Sequence, residues 1–213
     1  MLGIGVVTFA AVRMAEIDNA SIPAAVVIPS SLALAIWLAG PISGGHVNPS
    51  VTLALTLCRI VSFVYLPIYW AAQYAGAFAG AALAHAFLDG SAGPSDPPSG
   101  TVLGSTPLQV LSEYLASTIF VLIVLVSADS RRPDAWSGAG FNSCIAIGLM
   151  AMVNSAAFIH TFVPFLGSIT AALLFQLILC PDAGQSRTVK FFTSRRFQHH
   201  RDYRSRSDAD AAP

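Results

Sequence analysis

Charge is what this chain has least of. Of 213 residues only 11 are Lys or Arg and 11 are Asp or Glu, 10% in all, where an ordinary soluble domain carries about 25%. Apolar residues make up 54% and mean hydropathy is +0.65. Together these exclude a conventional soluble globular domain and point to an integral membrane protein. The formal net charge is zero, so no nucleic-acid partner is expected. Cysteine is scarce as well. Cys58, Cys144 and Cys180 lie in or beside apolar runs without metal-like spacing, which excludes a disulfide framework and reads as burial of small hydrophobes. The apolar stretches also lack any grouping of acid, base and nucleophile and any metal-ligand cluster, so neither enzymatic activity nor a cofactor nor a metal is expected.

Several stretches lack charge for long enough to cross a hydrocarbon core of about 30 Å, which takes about 20 residues. Ile22 to Gly40 is one; Ile60 to Leu88 is another; Leu108 to Ala128 is a third if Glu113 is admitted. Ala135 to Pro181 runs 47 residues without an acid, Lys or Arg, room for two more crossings. Leu2 to Val12 is too short for a span and reads as the end of a helix whose beginning is missing. Residues 1–180 therefore read as the transmembrane domain and 181–213 as a basic, Arg/Ser-rich, disordered tail, because seven of the eleven basic residues fall in the last 27 positions. Arg59, Arg131, Arg132 and the tail fall on one side of the membrane, which the excess of basic residues marks as cytoplasmic. The opposite side receives "DGSAGPSDPPSGTVLGSTP", with no basic residue, and the Asn19-Ala20-Ser21 sequon.

One break interrupts the apolar pattern. In "GPISGGHVNPSVTLAL", residues Gly40 to Leu55, the glycines and Pro41 oppose a continuing helix, Asn48 is a good N-cap, and Pro49 is favoured at the first helical position. A helix from Pro49 to Cys58 would be about 15 Å long, half a core, so it must enter and leave on one side. Irregular backbone at membrane depth is tolerated only when buried in protein or lining a water-filled cavity. The loop is therefore expected to line a pore, with the half-helix's positive end and the Asn48 amide turned to the midplane, suited to a water or hydroxyl oxygen and hostile to cations. The alternative is a plain cap on an interfacial helix.

The stretch "SGGHVNPSVTLAL" resembles the first signature loop of the aquaporin (major intrinsic protein) family, its Asn-Pro-Ala box standing here as Asn48-Pro49-Ser50. "YWAAQYAGAFAGAAL" is similar to the family's third helix with its glutamine at Gln73, and "SEYLASTIFVLIVLVSADSRR" to the fourth with its glutamate at Glu113. "AIGLMAMV" resembles the start of the fifth and "FVPFLGSITAALLF" the sixth. "NPSVTLALTLCR" suggests an animal, insect-like branch. The resemblance implies an all-α, inverted-repeat helical bundle that passes water or a small neutral solute, passively, as a homotetramer in contact with membrane lipid, in the plasma membrane.

It also implies a second Asn-Pro-Ala box followed by an arginine, and none is found. Only fifteen residues separate the matches at Ala146 and Phe162, and Asn154-Ser155-Ala156 is followed by no arginine. The bundle is thus expected to be truncated in helix 1 and between helices 5 and 6, with one re-entrant half-helix. By position the constriction receives Ile28 and Ser155, while two of the usual four wall positions belong to the absent loop. His46 is a pore-lining or gating candidate at the cytoplasmic mouth, and the resemblance makes Glu113 and Gln73 structural braces. Two alternatives stand beside the channel: a non-conducting truncated isoform, and a membrane scaffold or adhesion protein that keeps the fold and acts through its tail.

Overall fold

The structure is a computed structural model and describes residues 2–16, 24–87, 107–128, 162–179 and 185–194. These residues form helices and turns, with no strand among them. The helices are α1 (Leu2–Glu16), α2 (Ala24–Ser43), α3 (Pro49–Leu57), α4 (Leu66–Ala86), α5 (Pro107–Ser127), α6 (Val163–Leu174) and α7 (Gln185–Thr193); a 3₁₀ turn, Phe63–Tyr65, precedes α4, and a π-helical turn, Phe175–Leu179, continues α6. At 1.5 Å per residue α2, α4 and α5 each reach about 30 Å, a membrane's hydrocarbon thickness. Val26–Ser43 and Val110–Ser127 are also apolar enough to cross it, and only 17% and 28% of their residues are buried within the protein. The core helix of a soluble protein would be mostly covered. Here Leu34, Trp37, Leu38, Leu111, Leu115 and Ile119 face outward, as lipid contact requires.

Three boundaries differ from the sequence reading. Gly40 and Pro41 do not end α2, which runs on to Ser43. A proline removes one backbone bond from a helix, here the one to the Trp37 carbonyl, and a membrane-spanning helix absorbs that loss. The stop comes at Gly44, whose N–H still bonds to the Gly40 carbonyl at 2.9 Å while its φ of 79° turns the chain left-handed. The first residues of the uncharged run from Ile60 belong to the loop and the 3₁₀ turn, so α4 opens only at Leu66. Finally, the segment after residue 180, expected to be a disordered tail, contains α7. The expected truncation between helices 5 and 6, the fifth helix and the Asn154-Ser155-Ala156 stretch fall on or next to residues 129–161, outside the described residues.

The half-helix α3 is the centre of the packing. Helix α1 lies against α2 and α4, α5 lies against α6, and α3 touches α4, α5 and α6, joining the two groups. Val51, Ala54 and Leu55 of α3 and Cys58 at its C-cap form one buried cluster with Phe120, Val121, Val124 and Leu125 of α5 and with Ala171, Ala172 and Phe175. A short re-entrant helix is thereby enclosed by protein rather than lipid, the condition under which such backbone is tolerated. Glycine sets the closest crossing: a Cβ on Gly80 of α4 would collide with the Gly5 backbone of α1, and one on Gly5 would come within 3.0 Å of the Gly76 carbonyl. Gly76 and Gly80, four residues apart, form the small-residue face that lets two membrane helices touch.

Candidate functional site: the re-entrant loop and its cavity

Between α2 and α3 the chain folds back through five residues, Gly44 to Asn48, with little freedom. Gly44, Gly45 and Val47 all have positive φ, at 79°, 62° and 40°. Gly45 is needed for space as well as for φ, since a Cβ there would lie 3.0 Å from the Ile36 carbonyl and 3.2 Å from the Gly40 Cα. A β-branched residue in the left-handed region is strained by about 1–3 kcal/mol, and Val47 holds that conformation because both flanks are fixed. The side chain of Asn48 accepts a hydrogen bond from the Ser50 N–H at 2.8 Å, and Pro49 occupies the first turn. The start of α3 is therefore capped by the side-chain Oδ1 of Asn48, leaving its Nδ2 amide as a donor at the positive end of the helix.

Helix α4 fastens this start from the side. Trp70 Nε1 donates to the Pro49 carbonyl at 3.1 Å, and Gln73 Nε2 donates to the Thr52 hydroxyl at 2.9 Å. Thr52 passes its own proton to the Asn48 carbonyl at 3.0 Å, and Thr56 repeats the pattern onto Thr52 at 2.7 Å. Tyr69, on the same helix, donates to the Ser43 carbonyl at the end of α2 at 2.9 Å and stacks on His46, ring centroids 4.6 Å apart and 21° from parallel. The far end of α3 is held by Gln176, which donates to the Cys58 carbonyl at 3.2 Å.

Beside the loop lies a cavity of about 210 Å³, lined from α1 by Gly3 and Ile4, from α2 by Ala39 and Ser43, from the loop by His46 and Val47, and from α4 by Ile68, Tyr69, Ala72 and Gln73. None of these side chains is an acid, a lysine or an arginine. Two of the lining residues each carry a polar atom buried without a hydrogen-bond partner, His46 Nδ1 and Gln73 Oε1, on side chains exposed by only 9% and 4%. Buried polar groups are rarely left so unless water or a ligand satisfies them. The place is mostly apolar, with four polar side chains, Ser43, His46, Tyr69 and Gln73, and no charged one.

Not all the residues singled out in the sequence meet here. His46 and Gln73 line the cavity, whereas Asn48, Pro49 and Ser50 lie next to it, Asn48 and Pro49 half-buried and Ser50 buried. Ile28 sits half-buried on the other half of α2, away from the cavity wall. Glu113 is half-buried on α5, its carbonyl accepting from Ser117 at 2.7 Å. Ser155 lies outside the described residues. Tyr69, Trp70, Thr52 and Val47 carry the site too and were not singled out. Tyr69, Ala72 and Gln73 are spaced i, i+3, i+4, a helical face visible in the sequence, but nothing local says that this face meets a re-entrant loop.

Comparison with known proteins agrees with this geometry. The family model described as "Major intrinsic protein" matches residues 1–162. Human aquaporin-9 is 34% identical over 143 residues, 60% of this chain and 48% of that protein. Soybean (Glycine max) nodulin-26 is 28% identical over 183 residues, covering 75% and 66%. The chicken (Gallus gallus) lens fiber major intrinsic protein is 30% identical over 218 residues, covering 86% and 78%. The chain thus spans between about half and two thirds of the length of the first two. A model covering most of the sequence and a half-helix buried at its predicted place lead to one conclusion: the chain belongs to the major intrinsic protein family, a family of integral membrane proteins.

Proposed function

We propose that this chain is an aquaporin-like channel subunit that lets water or a small neutral solute pass down its gradient, without catalysis and without a cofactor. The observation that carries the reading is the uncharged cavity against the re-entrant loop, with its two unpartnered polar atoms. Water occupies about 30 Å³ in the liquid, so the cavity has room for several molecules or one small hydroxylated solute. A neutral molecule exchanges its water bonds for those of His46 and Gln73. An ion finds no counter-charge there and loses hydration worth several kcal/mol. The Asn48 amide, at the positive end of α3, adds a donor and a further barrier to cations. In this reading Gln73 and Glu113 brace the backbone around the loop, and Asn48-Pro49-Ser50 is the pore motif. The names of human aquaporin-9 and sheep (Ovis aries) aquaporin-5 favour the same activity. We also propose a homotetramer in the plasma membrane with the C-terminus in the cytoplasm.

A second reading is favoured by one sequence feature, the absence of a second Asn-Pro-Ala box between Ala146 and Phe162. In it the chain keeps the fold but conducts little, and acts by assembling with other subunits or as a membrane scaffold. Vesicle permeability separates the two. Purified chain in liposomes is expected to raise water or glycerol permeability above that of protein-free vesicles, with no added K⁺ leak. Ala72→Phe, which fills the cavity from α4, is expected to abolish the increment while the protein elutes as before on size exclusion. No increment for the unsubstituted chain, or an increment that Ala72→Phe leaves intact, would overturn the channel reading.

A further inference from the structure

The site and the pore motif leave α7 unexplained, and the contacts of this helix are specific. Thr188, Phe191 and Ser194, spaced three apart, are the partly covered residues on it, so one face is turned to the protein. On that face the Arg59 guanidinium stands over the Phe191 ring, 5.2 Å from its centroid, and donates to the Ser194 carbonyl. A cation at the C-terminal end of a helix, bonded to a terminal carbonyl, is in the position its dipole favours. Arg59 itself sits in a left-handed turn, φ 57°, directly after the half-helix. The loop that closes α3 therefore holds α7 by its last turn.

The neighbouring face of α7 has no such cover. Val189 is 59% exposed and Phe192 61%, adjacent on the helix, and Lys190 is exposed beside them. The sequence adds Arg187 within the helix and Arg195-Arg196 immediately after it. Across Arg59 in the chain, Phe63, Val64 and Tyr65 of the 3₁₀ turn are exposed as well. Two apolar, aromatic-bearing segments thus flank one clamp, and aromatic residues of this kind collect at the level where a membrane meets water. Only five residues separate α7 from Leu179, the last residue of the helical segment that begins at Val163, so α7 starts close to the membrane surface. An amphipathic helix with apolar residues on one edge and basic residues around it fits the headgroup layer of an anionic leaflet.

We propose that α7 lies in the headgroup region of an anionic phospholipid leaflet, with Val189 and Phe192 in lipid, Lys190 at the phosphates, and Arg59 holding the neighbouring face to the half-helix loop. Each basic residue near such a surface is worth roughly fivefold in partitioning. The leaflet meant is the cytoplasmic one, on the orientation proposed above; the test is made independent of that orientation. The chain is placed in nanodiscs, which expose both faces, made either of phosphatidylcholine alone or with about a third phosphatidylserine, and trypsin cleavage after Lys190 is followed by mass spectrometry.

Cleavage is expected to be at least severalfold slower in the phosphatidylserine discs, and 0.5 M salt is expected to remove much of that protection, because the attraction is screened. Val189→Ser with Phe192→Ser is expected to cut the protection in both lipids, while cleavage elsewhere in the chain stays unchanged. Equal cleavage rates in the two lipids would overturn the proposal. So would equal protection in lipid-free detergent, since a second copy or another part of the chain would then be what covers Val189 and Phe192.

Discussion

Asn48 does two things that substitution can separate. Its Oδ1 caps α3 through the Ser50 N–H, and its Nδ2 is the donor the channel reading uses. Asn48→Asp keeps an oxygen for the cap and places a carboxylate where the helix dipole welcomes it, so the variant is expected to reach the membrane in normal amounts. It loses the donor and gains a negative charge, so neutral-solute flux should fall and cation leak should rise. Asn48→Ala loses the cap as well, at about 1 kcal/mol, and should lower surface abundance. Surface labelling and vesicle flux on both variants check this; an aspartate variant with unaltered flux and leak would reduce Asn48 to a cap. Trp70 is tested differently. Trp70→Phe keeps an aromatic ring beside Phe165, where the two rings now sit 5.5 Å apart, but leaves the Pro49 carbonyl without its donor. The expected cost is about 1–3 kcal/mol, read as a lower unfolding temperature in detergent, and Trp70→His, which retains a ring N–H, should recover part of it.

At the scale of the element, the crossing of α1 over α4 is the place where one methyl group matters most. Gly80→Leu must push α1 away from a backbone already in contact, a change expected to cost at least the 1–3 kcal/mol typical of overpacking and to open the cavity, which both helices line. Ala79→Leu, one position along on an exposed face of α4, is expected to be silent, since it adds an apolar side chain where lipid already lies. Thermal unfolding followed by size exclusion distinguishes them; equal behaviour of the two variants would mean that the close crossing does not hold the bundle. The same elements show what a sequence reveals. The break before α3, its Asn cap and its Pro were legible because each is a local rule of backbone geometry. The end of α2 was misplaced because Pro41 reads as a stop, and only Gly44, by turning left-handed, acts as one. Tyr69 and Trp70 were missed because their partners, His46 and the Pro49 carbonyl, are some twenty residues away in the chain. Ile28 lies on the half of α2 away from the cavity, so its place at a constriction rests on the resemblance alone. Helix α7 was hidden by composition, its arginines drawing attention from the short apolar edge of Val189 and Phe192.

For the molecule as a whole the deciding feature is asymmetry. One half-helix, α3, joins α1, α2 and α4 to α5 and α6, and the sequence offers fifteen residues where the family resemblance calls for a second loop and its arginine. On the truncation read from the sequence, a single helix end would supply roughly half an elementary charge to the midplane, where two opposed ends would supply twice that. On the channel reading proposed above, a solute would also meet the one Asn-Pro donor the sequence carries in place of two. Losing one hydrogen bond of about 1–1.5 kcal/mol at the narrowest point corresponds to about a tenfold change in rate. Per-subunit water permeability is therefore expected to be about tenfold or more below that of an aquaporin carrying both boxes, and exclusion of protons and K⁺ should be weaker. Stopped-flow light scattering on vesicles with matched protein content measures the first, and pH-sensitive and K⁺-sensitive dyes the second. Inserting an Asn-Pro-Ala half-helix with a trailing arginine between Val153 and Phe162 should raise water permeability and lower the leak together, because both follow from one missing dipole and one missing donor. If the unaltered chain already passes water at the rate of a two-box channel while excluding K⁺ equally well, a single half-helix is sufficient and the asymmetry carries no functional cost.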